Sequence, residues 1–238
     1  MKMMDVIMPC YIVNEELLQL TKSAVESLGS ARIIVIDNGS PIGGGYLRSI
    51  AQTYVKNNSN LGYATAVNQG IKLIQSDYFA VANNDIIVSQ NWQEVSFEVL
   101  SIPNTYSCHF KMINYEEPFS YGNLTVYTGK ERWCTSSFFV IHSAQPLIYN
   151  EKFGIGGYED YDYWHRVRKL GLKTAYTNKA IYKHKHSSTQ LALDQKERAE
   201  RDQKSRDYFK HLWGMYPDEL YEKKYPEQWA QDYGQGFI

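Results

Sequence analysis

The chain alternates short apolar runs with segments whose apolar residues recur every three or four positions. Asp5–Tyr11 (DVIMPCY) reads as a strand. Asn14–Leu28 sets Leu17, Leu18, Leu20, Ala24, Val25 and Leu28 at helical spacing, with Asn14 as the N-cap. Arg32–Asp37 (RIIVID) is continuous and β-branched, the pattern of a strand covered on both faces. Gly43–Gly45 marks a turn, TYVKN within Ser49–Asn57 a short third strand, Tyr63–Ile74 a helix and Asp77–Ala82 a fourth strand. This order predicts βαβ units and a parallel sheet with right-handed crossovers.

The second half is less regular. Tyr106–Ile113 and Ser137–His142 are predicted strands, and a glycine-rich loop at Gly154–Gly157 leads into a helix over Glu159–Leu170. Tyr163, Val167 and Leu170 form its expected core face. Lys173–Tyr176 and Ala180–His184 read as extended, and Leu193–Leu212 as a highly charged helix ending in aromatics. No repeat or low-complexity linker divides the chain. The expected organisation is one domain over 1–214, with halves at 1–100 and 101–190, a closing helix at 191–214 and a tail at 215–238.

Composition narrows the function classes. The 238 residues carry 25 basic and 26 acidic side chains, a net charge of −1 that supplies no general field for nucleic acid. Hydrophobic residues at 43% exclude a disordered chain. The mean hydropathy is −0.47, and no apolar run approaches the roughly 18 residues of a membrane span. Met1–Asp5 has no apolar run and does not read as a signal peptide. Cys10, Cys108 and Cys134 are odd in number and lack CxxC spacing, which suits a reducing compartment, so the expected location is cytoplasmic. The charged helix near residue 200 leaves peripheral membrane association open. Twenty tyrosines and five tryptophans offer faces for sugars or bases, although most are expected to pack.

Candidate chemistry gathers at the strand ends, where open α/β sheets bind ligands. Asp37-Asn38-Gly39-Ser40 and Asn83-Asn84-Asp85 each follow a predicted strand. A carboxylate there can accept a hydrogen bond from a base or ribose, hold a cation, or close an Asx-turn. Asp160 falls in or just before the first turn of its helix, as a cap, a dipole-stabilising acid or a general base. Asp162 can pair with Arg166 at i, i+4 and is expected to be structural. In IYKHKH, strand alternation puts His184 and His186 on one side, where they can approach one ion or remain polar surface. An oxidoreductase lacks its phosphate turn, because Pro9–Asn14 contains no glycine. A P-loop is absent too, since Gly129-Lys130 precedes Glu131. Cys134 has no evident triad partners.

Taken in order, IIVIDNGS, NLGYATAVNQGI and DYFAVANND resemble the nucleotide-binding half of GT-A glycosyltransferases of family 2. IMPCYIVNEE resembles that family's first strand, with its Asn displaced to Asn14. The likeness runs from Met8 to Asp85, with further signs to Gly214. It implies an α/β GT-A fold: a Rossmann-like, mostly parallel sheet flanked by helices, with a nucleotide-sugar half and a smaller acceptor-side half. It also implies an inverting, metal-dependent transfer of a sugar from a nucleoside-diphosphate sugar, UDP favoured, to an acceptor hydroxyl; a rhamnosyltransferase-like branch fits. By position, Asp37 would contact the base, and Pro9, Cys10 and Tyr11 would line the base and ribose pocket. Asn60, Gly62, Asn68, Asn83 and Asn84 would complete the nucleotide-sugar site.

Asp85, the retained Asp of a DxD-type motif, would ligate Mn²⁺ or Mg²⁺ with His184, His186 being the fallback. Such an ion neutralises a leaving diphosphate and needs only one or two protein carboxylates. Asp160 would be the general base of the family's Glu-Asp motif, taking the proton of the acceptor hydroxyl. Trp133, Thr135 and Glu159 are acceptor or donor-sugar candidates. Asn at two of the three DxD positions keeps a non-catalytic carbohydrate- or nucleotide-binding module as the alternative.

Overall fold

The structure, a computed structural model, describes residues 3–128, 136–144, 146–155, 157–185 and 195–224. Trp133, Cys134, Thr135, Gly156 and His186 lie outside them.

Among the described residues, nine strands form one sheet: β1 (Asp5–Cys10), β2 (Arg32–Asp37), β3 (Thr53–Lys56), β4 (Tyr78–Ala82), β5 (Ile86–Val88), β6 (Thr105–Ile113), β7 (Thr125–Thr128), β8 (Phe138–His142) and β9 (Lys173–His184). The helices are α1 (Glu15–Leu28), α2 (Gly44–Ile50), α3 (Tyr63–Ile71), α4 (Trp92–Leu100), α5 (Glu159–Lys169), α6 (Gln195–Trp213) and α7 (Pro217–Lys224). The strand order is β3-β2-β1-β4-β8-β6-β9-β5, with β7 also paired to β9. The pairings make β1, β2, β3, β4, β6 and β9 run one way and β5, β7 and β8 the other. The sheet is therefore mostly parallel.

Alternation along the strands builds two cores. Val6, Met8, Val35, Ala80 and Val140 face α1, α2 and α4 through Leu17, Ala24, Leu47, Trp92 and Val99. Ile7, Ile34, Phe79, Val81 and Phe139 face α3 and α5 through Val67, Tyr163, Trp164 and Val167. A strand covered on both sides must be apolar at every position, which is why RIIVID has no polar gap before Asp37. At the lower end of β1, buried Asp5 accepts from Arg32 Nε (2.6 Å) and Nη2 (2.8 Å) and from the Ser76 N–H (3.0 Å), locking the start of the sheet.

Asn14 caps α1, its Oδ1 accepting from the Leu17 N–H at 2.9 Å. The expected turn at Gly43–Gly45 is the start of α2. Leu170 does not join the core: it is 61% exposed, because α5 ends at Lys169 and the chain turns outward there. Leu172, two residues on, packs against that core instead.

Candidate active site

Strand direction brings the expected chemistry to one edge. β1, β2, β4, β6 and β9 all end there, at Cys10, Asp37, Ala82, Ile113 and His184, while β5 and β8 begin there. β4 lies on the opposite side of β1 from β2 and β3, so the chain reverses direction across the sheet at β1, the kind of switch where such folds bind ligands.

On the β1–β2 side, Pro9 and Tyr11 are half-buried and Cys10 is buried, its thiol raised by burial and by Asp37. Asp37 is buried, and each carboxylate oxygen has a partner. Oδ1 accepts from the Ser40 N–H (2.8 Å) and Oδ2 from the Tyr54 hydroxyl (2.6 Å), whose pKa burial and this bond push up to about 12. The side chain closes the loop onto the N–H three residues on, one residue beyond the reach of an Asx-turn. Gly39 allows it at φ +83°, where a Cβ would meet the Ser59 backbone at 2.7 Å.

Asn38 next to it organises the loop ahead of α3. Its Nδ2 donates to Asn60 Oδ1 (2.8 Å) and the Gly62 carbonyl (3.2 Å), and its Oδ1 accepts from Asn57 Nδ2 (3.0 Å) and the Leu61 N–H (3.1 Å). Asn60 also caps the turn through the Gly62 N–H at 2.9 Å. Gly62 has φ +89°, ψ 162° and faces the Gly154 carbonyl, which leaves no room for a Cβ. Asn68 is buried: its Oδ1 accepts from the Tyr149 N–H (2.8 Å), and its Nδ2 donates to the Tyr149 carbonyl (2.9 Å) and Glu151 Oε1 (2.8 Å). That side chain clamps the segment carrying Tyr149 and Glu151 to α3.

On the β4 side, Asp85 Oδ1 lies 3.1 Å from His184 Nε2, although 99 positions separate them in the chain; both are largely buried. Asn83 Nδ2 is 3.5 Å from the same nitrogen, and Asn84 turns inward, its Nδ2 donating to Thr21 Oγ1 at 2.9 Å. Octahedral ligands at about 2.1 Å stand about 3 Å apart, so Asp85 and His184 fit neighbouring positions around one divalent ion. Among the described residues no group of three His, Cys, Asp or Glu converges to hold an ion.

Ser136 and Ser137 join this side to α5. The Asn83 N–H donates to the Ser137 carbonyl (2.8 Å), and Tyr63 Oη donates to the Ser136 carbonyl (2.6 Å). Ser136 Oγ accepts from Trp164 Nε1 of α5 (3.0 Å) and from Tyr149 Oη (3.3 Å). Glu159 and Asp160 begin α5 after Tyr158, which has a left-handed φ of 66°. Asp160 Oδ1 accepts from the Tyr161 N–H at 2.9 Å. Desolvation raises Asp160 to about 6 and Glu159 to about 8, the latter also by the charges of Asp160 and Asp202. Asp162 is structural, accepting from Arg166 Nε (2.9 Å) and Trp213 Nε1 (3.1 Å).

Sequence reasoning assigned no role to Tyr63, although it lies within NLGYATAVNQGI, nor to Ser136 and Tyr149, nor to Asp202, on a helix that reads as solvated surface. α6 and α7 cover the α5 turn through Phe209, Trp213 and Leu220. Ser205 Oγ donates to the Phe153 carbonyl at 3.1 Å.

The mostly parallel sheet with helices on both faces, and the strand edge where these residues gather, have the architecture of a GT-A glycosyltransferase. The chain belongs to glycosyl transferase family 2, whose model matches residues 5–158 and so stops one residue before Glu159. Among solved structures, S. aureus TarS 1-349 superposes with a TM-score of 0.60 at 11% identity, covering 93% of this chain and 75% of that one. GalNAc-T7 with UDP, GalNAc and Mn²⁺ superposes at 0.57 and 14% identity, covering 76% of this chain and 43% of that one. At these identities the likeness is one of fold. No curated protein matches the chain.

Proposed function

We propose that this glycosyltransferase is an inverting enzyme that uses a nucleoside-diphosphate sugar, UDP favoured, with Asp160 as general base and Asp85 and His184 holding Mn²⁺ or Mg²⁺. The observation that supports it is the Asp85–His184 pair at 3.1 Å together with the link through Ser136–Ser137, where the Asn83 N–H donates to the Ser137 carbonyl and Trp164, on the helix that Glu159 and Asp160 begin, donates to Ser136 Oγ. UDP and Mn²⁺ are favoured by the GalNAc-T7 neighbour, solved with both. The ion would supply Lewis-acid neutralisation of the departing diphosphate, whose oxygens would complete its shell.

The protein's own groups do the rest. Burial raises both carboxyls, and the pair titrates at about 6 and about 8, so at neutral pH it shares one proton and one charge. Asp160 takes the proton of the acceptor hydroxyl as that oxygen attacks the anomeric carbon from the face away from the diphosphate. Pro9 and Tyr11 flank the base. Asp37 shapes the turn beneath, and a base that reached its carboxylate would displace the Tyr54 hydroxyl. The division into a donor half at 1–100 and an acceptor half at 101–190 follows from these roles. No helix among the described residues is long and apolar enough to cross a membrane. Cys10 and Cys108 are buried free thiols, and a reducing, cytoplasmic setting belongs to the same reading.

The test is a thermal-shift screen of UDP-, dTDP- and GDP-sugars with and without Mn²⁺, followed by turnover of the best donor. Stabilisation by a UDP-sugar that needs Mn²⁺, with turnover lost in EDTA, is expected. A donor shift with no product would favour the non-catalytic module; a full shift and full turnover in EDTA would remove the metal.

A further inference from the structure

The loop joining β6 to β7, residues 114–124, leaves the same sheet edge as Asp85 and His184 and carries aromatic rings that sugar transfer itself does not use. Tyr115 is half-buried with the Lys185 ammonium 5.7 Å from its ring centre, and the Lys185 N–H donates to the Asp85 carbonyl at 3.0 Å. The loop therefore borders the candidate ion site. Phe119 is half-buried with Lys183 Nζ 5.0 Å from its centroid. Its ring lies parallel to that of Tyr121, with centroids 6.3 Å apart and planes 10° apart. Tyr121 is 55% exposed and Leu124 beside it 50% exposed. Lys183 on β9 and Lys185 just past its end flank His184, so one strand end serves the ion site on one face and these rings on the other.

The rings are held, not loose. The Gly122 N–H donates to the Asn178 carbonyl (2.9 Å), the Leu124 N–H to Asn178 Oδ1 (2.8 Å), and the Asn178 N–H to the Leu124 carbonyl (3.1 Å). Exposed Asn114, Ser120 and Asn123 provide a polar rim. The exposed acids Glu116 and Glu117 on the loop equal Lys183 and Lys185 in number, so the charge around these rings is mixed. An oriented aromatic face, a hydroxyl-compatible rim and mixed charge suit the apolar face of an uncharged sugar ring.

We propose that Tyr121, backed by Phe119, is a stacking platform for a neutral pyranose of the acceptor glycan, distant from the sugar that receives the donor. This rests on the transfer function above and names the class of its acceptor: a neutral oligosaccharide, not a single sugar or a phosphorylated chain.

The probe is an array of immobilised neutral and acidic oligosaccharides, read with the full chain in UDP and Mn²⁺. Wild type should retain neutral glycans of several units, Tyr121→Phe should bind equally, and Tyr121→Leu and Phe119→Ala/Tyr121→Ala should weaken binding about tenfold. Unchanged melting temperatures would show that the variants fold. Equal binding by wild type and the double variant, no glycan binding by wild type, or retention of acidic glycans alone would overturn the platform. A UDP–Mn²⁺ thermal shift in all variants keeps the donor site apart from this result; its absence in wild type would count against the transfer function instead.

Discussion

Asp160→Asn preserves the size of the side chain and its acceptance of the Tyr161 N–H at 2.9 Å while removing the proton acceptor. Desolvation places the pair's two titrations at about 6 and about 8, and because the groups are adjacent these belong to the pair as a unit. In wild type, kcat/KM should rise about tenfold per pH unit up to about 6 and then level. In the variant the rate at neutral pH should fall by about 10²–10⁴ and the limb at about 6 should vanish. The assay is the initial rate of nucleoside-diphosphate release from about pH 5 to about pH 9 at low donor concentration. A variant with near wild-type rate, or one that keeps the limb at about 6, would refute the base assignment. The same shifts act on stability. Both acids are raised in the folded state, so their contribution is present below the ordinary carboxylate range, about 4. It is lost as pH rises through about 6 and about 8. Wild-type melting temperature should therefore drop across that window, and the drop should be smaller in Asp160→Asn.

Asn68→Ala removes all three bonds to Tyr149 and Glu151 and leaves the buried Tyr149 amide groups unpaired, a loss of about 1–3 kcal/mol, or about 2–4 °C in Tm per kcal/mol by calorimetry. Gly62→Ala forces alanine into backbone territory open to glycine and against the Gly154 carbonyl, at about 1–3 kcal/mol for the backbone alone; reduced Tm together with reduced turnover is the expected pairing. Trp213→Phe keeps the ring against His165 but forfeits the 3.1 Å bond to Asp162, so Tm should fall with little change in donor KM in steady-state assays.

The first half of the fold is legible because its signals are local. β-branched runs give β1, β2 and β4, and Asn14 marks the start of α1. The second half depends on tertiary pairing. β5 has only three residues, and its partner in β9 lies about a hundred positions away. Lys173–Tyr176 and Ala180–His184, read as separate extended segments, are one strand: the β6–β9 register jumps from Phe110↔Thr177 to Lys111↔Ile181, so residues 178–180 bulge from a strand that continues past them. α2 hides behind glycines that sequence rules assign to turns.

In the candidate site, strand-end position points to Asp85 and alternation to His184 and His186 together; the resemblance alone chose His184, and the structure places its Nε2 3.1 Å from Asp85 Oδ1. By contrast, the Asn38–Asn57–Asn60 amide network and the inward-facing Asn68 carry no pattern, because an amide looks the same whether it meets a ligand or a distant backbone. Asp37 belongs with them: only the structure shows the Tyr54 hydroxyl on its second oxygen.

The most direct test is anomalous diffraction from crystals of the protein grown with UDP and Mn²⁺. One manganese peak should lie within about 2.3 Å of both an Asp85 oxygen and His184 Nε2, with diphosphate oxygens on its open side and Asp160 facing the cleft. A manganese bound elsewhere, or a diphosphate seated away from Asp85, would contradict the proposed assembly of the site.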